Sequence, residues 1–342
     1  MKRTLAGVTE RLDSLGEGYH VLNAGQHGAM VVLPLHGRIL GLWSDRERTS
    51  HFWLNPAFLD SASTGGGDDG WQNPGGHRIW IAPEREFFFA DLSDPIGTHL
   101  IPASVDPGNY RCSMSPTGVL LESEGVAHAY ASNAAVEFAL SRQIRVLDVA
   151  EAGDLIDGSS RAAVAGYEEL VTVQFDAAPR VRAGAWSLVQ VPLGGTASAQ
   201  TKDAVEPDIF LGEPGTALEQ HPGRLTIDYP RSRKDCFKIG LAVSAISDRI
   251  AYLQEHADGS AAAVIKVFET GEEGDYVDTP WTRPEESGSA VQFYHGGEFG
   301  FGEIEVHSGK FEDTGAQCIA RLKVTVLAVS GSREECGAAV RA

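Results

Sequence analysis

The sequence predicts an all-β chain folded as a large antiparallel β-supersandwich, and three observations carry that expectation. Its apolar segments are short, β-branched or aromatic, and punctuated by Gly, Pro, Asp or Asn, as strands joined by turns are. Helix signals are few: residues 4–15 read as one amphipathic helix ahead of the sheet, and residues 150–165 hold a short turn. No fixed-period repeat points to a propeller or a solenoid. Because parallel sheets need crossover helices, about fourteen strands with hardly any helix must pair antiparallel.

Taken in order, the expected strands are 19–22, 29–33, 38–43, 77–81, 119–122 and 136–147 in the first half. They continue through 167–175, 187–191, 236–243, 250–254, 263–268, 291–295, 301–307 and 319–329. The glycine-rich run GGGDDG at 65–70 reads as a surface loop; it lacks the G-K-S/T ending of a phosphate cradle, and its two aspartates would repel phosphate. Residues 194–215 join two strand-rich halves and read as a long loop. The whole chain, 1–342, is therefore expected to form a single domain, with 1–16 holding the N-terminal helix and 330–342 a tail.

Composition narrows the partners. Lys and Arg total 28 against 47 Asp and Glu, and the formal charge of −19 repels phosphate backbones and anionic membrane surfaces. Neither nucleic acid nor membrane is expected as a partner. Residues 1–16 are broken by Glu10, Arg11 and Asp13, so they lack the apolar core of a signal peptide, and no run reaches membrane-spanning length. Cys112, Cys236, Cys318 and Cys336 are scattered without a C-x-x-C pair, which indicates reduced thiols in a cytoplasmic protein. His20, His36, His51 and His99 have no partners at ligand spacing, so no metal and no cofactor is expected. The sequence carries no signal for oligomeric state.

The strongest local signal is WQNPGGHRIWIAPE, from Trp71 to Glu84. A turn-rich loop runs directly into a strand there, and alternation puts Arg78 and Trp80 on one face with Ile79 and Ile81 on the other. A guanidinium beside an indole suits a sugar: the flat ring packs on C–H groups while the cation bonds hydroxyls. His77 alternates with Arg78 and reads more readily as structural than as a ligand contact. Glu84 follows the strand end, where it can pair with Arg78 or cap the loop. The segment 301–307 is the second signal, because Glu303, Glu305 and His307 share one strand face and Ile304 and Val306 the other. Carboxylates about 7 Å apart raise one another's pKa and can then move protons near neutral pH. The competing reading is the solvated outer face of an antiparallel sheet. Lys238 projects opposite Phe237 and Ile239, where it could bond a substrate although surface placement is the default. His128, in VAHAYA, and His295, on the loop leading into 301–307, complete the candidates. Trp53 and Trp71 read as packing or rim aromatics.

In order along the chain, HGRILGL (36–42), NPGGHRIWIAPE (73–84), VEFALSRQIRVLD (136–148), AWSLVQVPLGG (185–195), DCFKIGL (235–241) and FGEIEVHSG (301–309) resemble segments of the galactose mutarotase-like superfamily. That superfamily contains aldose 1-epimerases and uncharacterised carbohydrate-associated branches. The resemblance implies a β-supersandwich in which a C-terminal-half Glu acts as base on the anomeric hydroxyl, matched here by Glu303 or Glu305. It also implies an Arg that holds the sugar, matched by Arg78. The family's H-P-Y-F-like motif, whose His protonates the ring oxygen, has no counterpart in this chain. The expected site therefore combines Glu303, Glu305 and His307 as catalytic groups with His77, Arg78, Trp80, Glu84, His128, Lys238 and His295 as substrate contacts. The expected ligand is a small-molecule carbohydrate, and the expected function is epimerase-like acid and base chemistry on a monosaccharide or derivative. The alternatives are a non-catalytic carbohydrate-binding or sensing protein, and a polysaccharide lyase or glycoside hydrolase.

Overall fold

The computed structural model describes residues 3–60, 72–156, 161–176, 181–202, 204–283 and 287–342. Strands β1 (His20–Ala24), β2 (Gly28–Leu33), β3 (Arg38–Trp43) and β4 (His77–Ala82) open a first sheet. The next four, β5 (Arg111–Ser115), β6 (Gly118–Ala129), β7 (Ala134–Val146) and β8 (Ala163–Asp176), build a second. The chain then crosses between them: β9 (Gly184–Pro192) joins the first, β10 (Thr196–Thr201) the second and β11 (Asp208–Leu211) the first. Strands β12 (Leu218–His221) and β13 (Arg224–Asp228) return to the second sheet, β14 (Phe237–Leu241) to the first, and β15 (Ile246–Glu255) and β16 (Ser260–Phe268) to the second. Finally β17 (Val291–His295) and β18 (Phe301–His307) complete the first, and β19 (Lys310–Asp313) and β20 (Gln317–Ser332) the second.

The first sheet has nine strands in the order β1-β2-β3-β4-β9-β18-β17-β14-β11. The second has the order β12-β13-β10-β15-β16-β20-β8-β7-β6-β5, with β19 paired to β20. Their ladders are antiparallel throughout, so the all-β antiparallel sandwich read from the sequence is the fold. The extra strands relative to that reading are β5, β10, β11, β12, β13 and β19. Two of them, β10 and β11, lie in the segment read as a long loop. TASAQT (196–201) has small and polar residues in place of bulky β-formers, and its extended form is held by ladders to β13 and β15.

Helix α1 (Leu5–Leu15) is capped by the Thr4 hydroxyl, which accepts from the Gly7 N–H at 3.3 Å, and ends at Gly16 in the left-handed region. Its buried Val8 and Leu12 pack with Leu40 and Trp43 on the outside of the first sheet. Three short helices follow, α2 (Pro56–Asp60), α3 (Glu84–Phe87) and α4 (Val149–Asp154). Residues 333–341, read as part of a tail, form instead α5 (Arg333–Arg341), which a reciprocal Ser332–Glu335 capping box starts. Cys336, Ala339 and Val340 on α5 pack against Ala263, Ile265 and Val329 on the outside of the second sheet. Among the described residues no helix is long and apolar enough to cross a membrane, and the four cysteines are free.

The two sheets differ in what covers them. Strands β6, β7 and β8 alternate between buried and exposed positions, the pattern of a sheet with one wet face. Strands β3, β4, β14 and β18 are buried at every position, although they carry Arg38, Arg78, Lys238, Glu303 and Glu305. Between the sheets, a polar cluster interrupts the apolar core. His77 on β4 bonds Tyr167 Oη on β8 through Nδ1 (2.7 Å) and Ser187 Oγ on β9 through Nε2 (2.8 Å). Lys266 on β16 donates to both Ser187 oxygens at 2.9 Å. Arg142 on β7 donates through Nε to Glu169 on β8 at 2.5 Å, and Glu169 lies 3.5 Å from His77. Burial holds His77 well below its ordinary value and brings the Lys266 ammonium down to about 7, against the pull of Glu169 and Glu305.

Arg142 and Glu169 are both fully buried, so removing one partner strands the other charge in the core, at a cost of about 3–5 kcal/mol. Arg142→Met is expected to lose that much stability in urea unfolding. The Arg142→Met, Glu169→Met double variant should lose clearly less than the sum of the two single variants.

Candidate functional site

The approach to β4 needs glycine. Gly75 and Gly76 have φ of +99° and +83°, and a Cβ on them would lie 2.3 Å from the Trp53 and Ile39 carbonyl oxygens respectively. This tight entry seats β4 between β3 and β9. From there antiparallel register builds the site. Arg78 stands opposite Leu188, and Leu188 opposite Glu305; Trp80 stands opposite Trp186, and Trp186 opposite His307. One row further along, Gln190, Glu303, Tyr294 and Lys238 stand opposite one another on β9, β18, β17 and β14. Strand alternation turns all these side chains to the face away from the second sheet.

Of these, Arg78, Trp80, Trp186, Lys238, Tyr294, Glu303 and Glu305 line the floor of a cavity of about 670 Å³. The Arg78 guanidinium carbon lies 4.1 Å from the Trp80 ring centroid, and Arg78 Nη2 donates to Glu303 Oε1 at 2.7 Å. Gln190 Nε2 donates to the same oxygen at 3.0 Å. The Trp80 indole N–H donates to Asp106 Oδ2 at 2.9 Å, and that oxygen also accepts from Arg38 at 2.6 Å. Beside this platform, the Trp186 indole N–H donates to Glu305 Oε2 at 2.8 Å. Lys238 Nζ donates to Glu84 Oε2 at 2.9 Å, lies 3.5 Å from Glu305 Oε2, and stands 4.2 Å from the Trp186 ring centroid. Arg78 Nε and Nη1 and Glu305 Oε1 are buried without a hydrogen-bond partner among the described residues.

The electrostatics follow from this enclosure. Burial pushes the Glu305 carboxyl up to about 7; Lys238 and the Trp186 bond oppose the rise, while Glu303 and Glu84 add to it. Burial also works against the Lys238 charge, but Glu305, Glu84 and Asp278 outweigh it and hold the ammonium above the ordinary lysine value. A carboxyl balanced near neutrality beside a persistent cation can take up and return a proton. Among the described residues no group of three or more His, Cys, Asp or Glu side chains could hold a metal ion.

The structure brings Arg78, Trp80, Glu84, Lys238, Glu303 and Glu305 to one cavity. It places the four candidate histidines elsewhere. His77 faces the second sheet, because neighbouring strand residues point to opposite sides and β4 stays regular through it. His295 shares its face of β17 with Val291 and Phe293; it stacks on Phe237 at 5.3 Å and bonds the Gly297 N–H and the Pro230 carbonyl. His128 is exposed on β6 in the second sheet, against Tyr130. His307 keeps the parity of Glu303 and Glu305, but it stacks on Trp186 at 5.4 Å, outside the cavity lining, and burial holds it well below its ordinary value. Glu84 pairs with Lys238 and not with Arg78, whose guanidinium Glu303 engages. Lys238 is buried, contrary to the surface default. Trp53, read as a packing or rim aromatic, is buried and lines the cavity, while Trp71 and the loop 65–70 lie outside the described residues.

Sequence reasoning missed Trp186 as a floor residue and Gln190 as a partner of Glu303, although the alternation of AWSLVQV puts both on one face. It also missed Phe89, His99 and Trp281 on the walls, which come from segments outside the strands and leave no periodic trace.

No family model matches the chain, and no curated protein does. Among solved structures, a putative aldose 1-epimerase from Escherichia coli K12 is similar at 12% identity, covering 93% of this chain and 100% of that one, with a TM-score of 0.46. A galactose mutarotase-like protein from Lactobacillus casei has 10% identity over 90% of this chain and 100% of its own, with a TM-score of 0.47. A TPR-domain containing protein from Parabacteroides distasonis has 9% identity over 89% of this chain and 45% of its own, with a TM-score of 0.36. At these scores the likenesses carry no argument about the site.

Glu305 should leave a pH signature on stability. Its folded-state pKa lies above its ordinary value of 4.5, so its contribution to stability is fully present below about 4.5 and is lost as pH rises through about 7. Relative to wild type, Glu305→Gln is therefore expected to gain stability from pH 4.5 to pH 7, read as the difference in urea midpoints. A difference that stays flat would contradict the burial argument.

Proposed function

We propose that this protein is a carbohydrate-active enzyme that interconverts the anomers of a reducing monosaccharide or a derivative of one. The observation that supports this reading best is the pairing of Glu305, whose carboxyl is poised near pH 7, with the Lys238 ammonium at 3.5 Å, beside an arginine stacked on an indole in the same cavity. The Arg78 and Trp80 platform holds the sugar, with the free guanidinium nitrogens bonding hydroxyls and the aromatic surfaces packing on C–H groups. Glu303 keeps Arg78 in place. Glu305 takes the proton of the anomeric hydroxyl while the ring C1–O5 bond breaks, and the Lys238 ammonium hydrogen-bonds the departing ring oxygen and gives it a proton. The open-chain aldehyde turns about its C1–C2 bond and closes through the opposite face, with the protons returned.

The test is the rate of anomeric exchange in a panel of reducing sugars, followed by NMR. Wild type is expected to accelerate exchange of at least one sugar, and Glu305→Gln to lower kcat by about 10²–10⁴-fold while remaining folded. Exchange at the uncatalysed rate for every sugar that binds would overturn the enzymatic reading.

A second reading, a non-catalytic carbohydrate-binding or sensing protein, is favoured by one observation: the cavity floor holds no histidine among the described residues. It predicts that equilibrium sugar binding survives the Glu303→Gln, Glu305→Gln double change, and that wild type turns over no aldose.

A further inference from the structure

The cavity has two chemically distinct ends. Its floor carries the buried charged groups, whereas its walls are mostly apolar: Trp53, Phe89, Ile96, Trp281, Phe299 and Phe301 line it, with Asn55, Asn73, His99 and Asp235 between them. The aromatic walls are built as pairs, with Phe89 and Trp281 at 5.4 Å and Trp53 and Phe301 at 4.8 Å between ring centroids. Ile96 and Phe299 are 69% and 68% exposed, so the outer edge carries apolar side chains open to a ligand beside the polar His99 and Asp235. At about 670 Å³ the cavity is in the range that takes drug-sized ligands. One hexose, with roughly a dozen heavy atoms, falls well short of that size.

Orientation is decided by the chemistry at the floor, so this step rests on the proposed function. If C1 and the ring oxygen sit against Glu305 and Lys238, the C4 and C6 end of the sugar points to the mouth. A free hexose would present hydroxyls there largely to aromatic and aliphatic side chains that cannot bond them, with Asn55, Asn73, His99 and Asp235 as the polar exceptions, and would leave most of the apolar wall uncovered. We infer that the ligand is a reducing sugar carrying an apolar group, best a flat aromatic one, at its C4 or C6 end. The sugar is held by the charged floor and the substituent by the aromatic walls.

The test uses the full chain with matched pairs of reducing sugars: glucose, galactose and mannose, each against its 4,6-O-benzylidene derivative, with affinity measured calorimetrically. For at least one pair, the derivative is expected to bind tenfold or more tightly than the parent. The Ile96→Ser, Phe299→Ser double variant changes exposed side chains that the fold does not need. It should remove at least half of that logarithmic advantage, and the parent sugar's affinity should stay unchanged. Trp281→Ala should act in the same direction. Parents that bind as tightly as their derivatives in every pair would overturn this inference and leave the proposed function standing. Failure of every parent and derivative to bind would overturn both.

Discussion

The Arg78 guanidinium is the constraint on which the rest of the site depends. It is buried on a central strand of the first sheet, stacked on Trp80 at 4.1 Å and bonded to Glu303 at 2.7 Å. Bringing a cation into such a place costs several kcal/mol unless a carboxylate and further hydrogen bonds meet it. Glu303 supplies that compensation from a strand two positions away in the sheet, and Gln190 on the intervening β9 fixes the same carboxylate. The arginine and the acid therefore determine each other's position, and the register of β4, β9 and β18 is what allows them to meet. Lys238, Glu84 and Glu305 repeat the arrangement on the other side of the floor.

Beneath this charged surface lies a second polar layer. His77, Ser187, Tyr167, Glu169, Arg142 and Lys266 link strands of both sheets through the core, and Lys266 also reaches the Ile304 carbonyl between the two catalytic candidates at 3.4 Å. A buried network of this kind is costly if half-satisfied and specifying when complete. It ties the Glu-bearing strand to the opposite sheet, so the floor rests on a fixed support and not on a deformable apolar layer.

How much of this was legible in the sequence depended on whether a feature is periodic. Alternation alone places Arg78 with Trp80, Glu303 with Glu305, and Lys238 opposite Phe237 and Ile239, and the structure has each of these relations. The all-β antiparallel architecture was legible for the same reason, since long strands such as β6 and β7 alternate over most of their length. Strands such as β10, built from Thr, Ala, Ser and Gln, were hidden because their extended form comes from their neighbours and not from their own side chains. Alternation also says which residues share a face without saying what covers it. His307 thus has the parity of the two glutamates yet is taken up by Trp186, and His295 falls on the core side. The cavity walls, from segments with no repeat, could only be seen folded.

Shared placement of the acid pair and the arginine around a sugar is tested most directly by a crystal structure of the protein soaked with a reducing sugar that it binds. The expected result is density in the cavity, with the anomeric oxygen within hydrogen-bond distance of Glu305 and a hydroxyl on Arg78. A sugar seated outside this cavity, or held only at the rim with Glu305 untouched, would contradict it.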